Sequence, residues 1–78
     1  KDDFYYIILR NSAHYFPIEQ ATKNLKLALE YFQVNEQYIP VATVYNNLGV
    51  IYTWNREYDL ALENLNKAEK ILKKYDSN

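Results

Sequence analysis

Thr43, Asn47, Val50 and Trp54 follow one another at steps of four, three and four, a spacing that sets them on one face of a helix. The face combines a hydroxyl, a carboxamide that both donates and accepts, an aliphatic surface and an indole that buries apolar area while keeping one donor. Such a mixture fits recognition of a peptide rather than the making of bonds. Asn46 extends its polar part. Trp54 reads either as an anchor for a partner or as a packing residue at a helix end, and Asn47 either as a holder of peptide backbone or as a local structural contact. Catalysis has little to work with: His14 is the only histidine, cysteine is absent, and no glycine-rich phosphate loop or HExxH arrangement occurs. Glu30, Glu57, Asp59 and Glu63 fall on helix exteriors or ends without a positioned electrophile or base and read as solvating charges. The expectation is a non-enzymatic chain with no cofactor and no metal.

Seventy-eight residues allow one small domain, which buries only about 60% of the surface its unfolded chain exposes. Without cysteine neither disulfides nor thiolate metal sites can supplement a thin core, and a reducing, cytoplasmic setting is favoured. Nine basic and ten acidic residues give a formal charge of −1, which lacks the positive excess of a nucleic-acid binder. The longest apolar run, Phe4 to Leu9, is far short of the roughly 18 residues of a membrane span, so a soluble chain is expected. Methionine is absent, so Lys1 does not read as an untouched translation start, and the chain reads as a domain or piece of a longer protein.

The elements that must position these residues are helices. Local pattern places four, at about Asp3 to His14, Pro17 to Val34, Tyr38 to Trp54 and Glu57 to Lys74, and the fold class is all-α. Pro17 and Pro40 fit first turns, where the missing N–H breaks no intrahelical bond. Asp2 and Asp3 can cap or charge the first N-terminus, and Lys70, Lys73 and Lys74 complement the last C-terminus. In the last helix Tyr58, Ala61, Leu65, Ala68, Leu72 and Tyr75 alternate at steps of three and four, and Leu60, Leu62 and Ile71 widen the stripe to roughly half the circumference. That is more than one neighbour needs, so part of this arc awaits another helix or another copy of the chain. Glu63–Lys67 and Glu69–Lys73 stand at the spacing of helix-stabilising pairs, which favours a solvated face over an anion-binding patch.

A shift of 40 residues lays the chain on itself: Tyr5 on Tyr45, Ile8 on Leu48, Ile18 on Tyr58, Ala21 on Ala61, Asn24 on Asn64, Leu25 on Leu65, Ala28 on Ala68 and Phe32 on Leu72. Small residues meet small and large apolar residues meet large, as a shared packing scheme requires. Two copies, about 1–37 and 38–78, span the chain.

The second copy reads Tyr45-x2-Leu48-Gly49-x2-Tyr52-x8-Ala61-x3-Leu65-x2-Ala68, which resembles the tetratricopeptide (TPR) signature. The unit of that family is about 34 residues, so a period of 40 implies about six added residues near Phe32 to Tyr38. The repeat is similar to the longer-helix variant found in kinesin light chains, cell-polarity adaptors and bacterial regulators that sense peptide pheromones. The resemblance implies two antiparallel hairpins stacked as a short α-solenoid, with Gly49, Ala61 and Ala68 allowing close helix approach and Tyr45, Leu48, Tyr52 and Leu65 filling the space around them. It also implies a concave wall built from the first helix of each hairpin, where Thr43, Asn47, Val50 and Trp54 have Asp3, Ile7, Arg10 and His14 as counterparts. Arg10 there reads as a partner for a carboxylate or as a solvated surface cation. The implied role is a protein or peptide interaction scaffold. The alternative is a module for self-association, as a homodimer, or for stacking on neighbouring repeats, for example within a peptide-sensing bacterial regulator. The first copy departs from the signature at Leu9 and Ser12, and Arg56 stands in a turn where the family often has glycine. The carboxylate clamp of chaperone-binding members is incomplete, since Asn46 and Val50 occupy positions where lysine and asparagine are expected.

Overall fold

In the computed structural model the described residues are 3–10 and 18–75. They form four α-helices, α1 (Asp3–Arg10), α2 (Ile18–Val34), α3 (Tyr38–Trp54) and α4 (Tyr58–Tyr75), with no strand among them. The expected extension of α1 to His14, the expected start of α2 at Pro17 and the cap at Asp2 lie outside the described residues. α3 has the expected bounds, and α4 begins one residue late because Glu57 closes the preceding turn.

The α2–α3 and α3–α4 turns are built alike. Asn35 and Asn55 end their helices, and Glu36 and Arg56 take the left-handed conformation, with φ of 55° and 62°. Gln37 N–H donates to Phe32 O and Glu36 N–H to Gln33 O, and Glu57 and Arg56 repeat this with Tyr52 and Thr53. This is the Schellman pattern, which satisfies the last carbonyls of a helix while reversing the chain. Three-residue turns between long helices mean that the stretch Phe32 to Tyr38 is the end of α2, its turn and the first residue of α3. Its length is taken up by helix and a tight cap, with no loop inserted.

α3 is the centre of the molecule and contains no charged residue. A helix apolar around most of its circumference must be covered on several sides, and α3 packs against α1, α2 and α4. The core lies where α3 sits on α2: Leu25, Ala28 and Phe32 meet Val41, Val44, Leu48 and Ile51, with Tyr6, Ile7 and Leu29 packed around them. α4 packs on α3 alone among the described helices. Gly49 is buried at that seam. A Cβ there would stand 2.6 Å from Leu65 Cγ and 3.3 Å from the Ala61 carbonyl oxygen, so the glycine permits a close approach. Pro40 lies in the first turn of α3, as expected, ahead of the first helical bond from Val41 N–H to Gln37 O.

α1 is tied down by polar contacts. The Asp3 carboxylate accepts from the Tyr31 hydroxyl and from Gln37 Nε2, the latter at 3.0 Å. Tyr6 stacks on Tyr31 with ring centroids 3.9 Å apart. Asp3 does stand in the first turn of α1, but its Oδ1 serves the far end of α2 and the following turn in addition to any N-terminal charge effect.

Candidate interaction surfaces

Of the α3 stripe, Thr43 and Asn47 are half-buried and Val50 and Trp54 are exposed. Thr43 Oγ1 donates to Ile39 O at 3.2 Å. Asn47 Nδ2 donates to Arg10 O at 3.0 Å, which satisfies a carbonyl in the last turn of α1 and fixes α1 beside α3. The contact joins two helices, neither the local contact nor the peptide-holding role that the sequence suggests for Asn47. Arg10 is half-buried, and its Nε is shut from solvent with no hydrogen-bond partner among the described residues. Val50 and Trp54 are 40% and 56% exposed. His14, the remaining residue of the expected wall, lies outside the described residues.

The seven signature residues mostly enter the core. Leu48, Gly49, Ala61 and Ala68 are buried, and Tyr45 and Tyr52 are half-buried. Leu65 departs from this pattern, with 38% of its surface exposed, where its counterpart Leu25 has none. Phe32 is likewise fully buried and its counterpart Leu72 only partly so. The cause is topological: α3 covers that face of α2, and no described helix covers the same face of α4. Two equivalent asparagines, Asn24 and Asn64, are each 7% exposed, and Asn64 Nδ2 is satisfied by Leu60 O at 2.8 Å. The open flank of α4 carries Tyr58, Leu62, Leu65 and Leu72. Beside it Asn46, Leu65, Glu69, Leu72 and Lys73 line a hollow of about 450 Å³. Asn46 therefore belongs to this hollow as an exposed residue.

A second groove lies between α2 and α4, which both pack on α3 without packing on each other. Its residues include Gln33, Val41, Tyr45, Ile71, Lys70 and Lys74, around a volume of about 430 Å³. Tyr38 and Tyr75 stack across one end, with centroids 4.2 Å apart. Gln33 Nε2 donates to Tyr45 Oη at 3.3 Å.

Sequence reasoning missed this groove because the 40-residue repeat matches the apolar positions of α2 with those of α4 without showing that the two helices flank one gap over α3. The available signal was the basic spacing Lys67, Lys70, Lys74 on one side of α4, above an apolar stripe. The expected pairs on that helix do form, Glu63–Lys67 at 3.6 Å and Glu69–Lys73 at 2.8 Å. The hydrogen bond and charge of Lys73 hold the Glu69 carboxyl below its ordinary range.

Among the described residues no helix is long and apolar enough to cross a membrane, and no cluster of His, Cys, Asp or Glu could hold a metal ion. Comparison with family models, with curated proteins and with solved structures gives no significant match.

Proposed function

We propose that the chain is a non-enzymatic helical-repeat interaction module, of the tetratricopeptide kind its second copy resembles, that receives a helix on the open flank of α4. One observation carries this reading: Leu65 is 38% exposed while Leu25, at the same place in the first copy, is fully buried beneath α3. The chain thus contains both an occupied and an unoccupied version of one acceptor. Residues at spacings like those of Val41, Val44 and Leu48 fill the first, and a helix of the same character suits the second. Its source is a second copy of the chain or a neighbouring repeat, since repeats of this type bury their faces on one another.

Sedimentation velocity on the wild type and on Leu62→Glu tests this. Leu62 is 59% exposed, so the charge should leave the monomer folded while opposing burial of the flank. Concentration-dependent association of the wild type, lost in the variant, is expected. A wild type that stays monomeric throughout and binds no apolar dye contradicts it.

A second reading is favoured by Val50 and Trp54, which are 40% and 56% exposed on α3. There a peptide would be held mainly by apolar contact, because Thr43 and Asn47 already bond within the chain. Loss of a bound peptide in Trp54→Ala, with helicity and oligomeric state unchanged, is its signature.

A further inference from the structure

The α2–α4 groove has a composition that selects for a partner. Its floor is the buried Val41 and the half-buried Ile71, and its tyrosines present ring surface: Tyr45 on the floor, with Tyr38 and Tyr75 stacked at one end. Lys70 and Lys74 stand on the α4 wall, and among the described residues no carboxylate lines the groove. Among the described residues the ion pairs of α4 use Lys67 and Lys73 and leave these two lysines to the groove. Lys67 Nζ sits 5.5 Å from the Tyr45 ring centre and Lys74 Nζ 5.2 Å from that of Tyr75. Ammonium groups held over ring faces keep positive charge beside apolar surface. A volume of about 430 Å³ is within the general range for ligand pockets, roughly 300–1,000 Å³.

We propose that this groove is a binding site for an acidic peptide segment of a partner protein, which seats an aromatic or aliphatic side chain on Val41 and Ile71 and sets flanking carboxylates against Lys70 and Lys74. Charge complementarity selects this occupant. A wholly apolar segment leaves the lysines unpaired, a basic one meets like charge, and a bare anion gains nothing from the floor. The Gln33 carboxamide is placed to hydrogen-bond a peptide backbone on the α2 side, at the expense of its 3.3 Å contact with Tyr45. This site is separate from the flank of α4, so it stands or falls independently of the reading above.

The test uses two short synthetic peptides: one with glutamates around a Phe-Leu pair, and its counterpart with lysine in place of glutamate. Calorimetry gives affinity and NMR shift mapping gives location. The expected result is saturable binding of the glutamate peptide, with shifts at Tyr45 and Ile71. Binding should weaken roughly tenfold or more at high salt or in Lys70→Glu/Lys74→Glu, with unchanged far-UV circular dichroism, and persist in Leu62→Glu. No saturable binding of the glutamate peptide, equal binding of both peptides, or shifts centred on Leu62 and Leu65 overturns the proposal.

Discussion

A methyl group at position 49 would collide with Leu65, and the outcome of Gly49→Ala is decided by two opposed effects. Alanine favours an exposed helix interior by about 1 kcal/mol over glycine. Against that, the new Cβ stands 2.6 Å from Leu65 Cγ and 3.3 Å from Ala61 O, and the backbone contact cannot be relieved by rotating a side chain. Overpacking of this sort costs typically about 1–3 kcal/mol, so a net loss of stability is expected in urea unfolding. Gly49→Ala/Leu65→Ala should be less destabilised than the sum of its single variants, because it removes the main clash. The turns carry a complementary prediction. Glu36 and Arg56 occupy left-handed conformations that cost a residue bearing a Cβ roughly 1–2 kcal/mol, partly offset by the greater freedom glycine loses on folding. Arg56→Gly should therefore raise the urea midpoint, by an amount corresponding to about 0.5–1 kcal/mol.

Among the elements, α1 depends most on a single charged group. The Tyr31 hydroxyl, and then Gln37, stabilise the Asp3 carboxylate and hold its pKa below the ordinary 3.8. A depressed carboxyl pKa gives stability that is complete above the unfolded value and lost as pH falls through the folded one. Acidification below 3.8 should thus release α1, seen as loss of protection at the amides of residues 3–10, before α3 and α4 respond. Asp3→Asn should weaken α1 at neutral pH and flatten that acid response. α3 and α4 were legible in the sequence to within a residue, because an uncharged helix and a three-four apolar stripe declare themselves locally. The close approach at Gly49 was legible too, since a lone glycine within a helical pattern needs a packing reason. The bond from Asn47 to Arg10 O was not, because a carboxamide that reaches another helix leaves no trace in its neighbours. Leu65 read as core because the resemblance places it among the residues that fill the space around the close helix approach; the wide apolar arc of α4 did signal an uncovered face, but not which of its residues lie on it.

At the scale of the molecule, the fold consists of one docking event made twice and filled once. α3 enters the groove presented by α1 and α2 and buries Leu25 and Phe32 completely. α3 and α4 present the corresponding groove through Leu65, Leu72 and Asn46. An apolar leucine side chain is stabilised by about 1.5–3 kcal/mol when fully removed from water, and the proposed association would gain only the part of this that Leu62 and Leu65, 59% and 38% exposed, still leave open. Methyl-resolved NMR with a soluble paramagnetic agent, read at Leu25 and Leu65 across a concentration series, distinguishes a filled acceptor from an open one. Leu25 should be protected at every concentration, whereas Leu65 should be reached by the agent in dilute solution and become shielded as the protein is concentrated. A Leu65 equally accessible throughout, or a Leu25 as accessible as Leu65, would contradict a second docking face on α4.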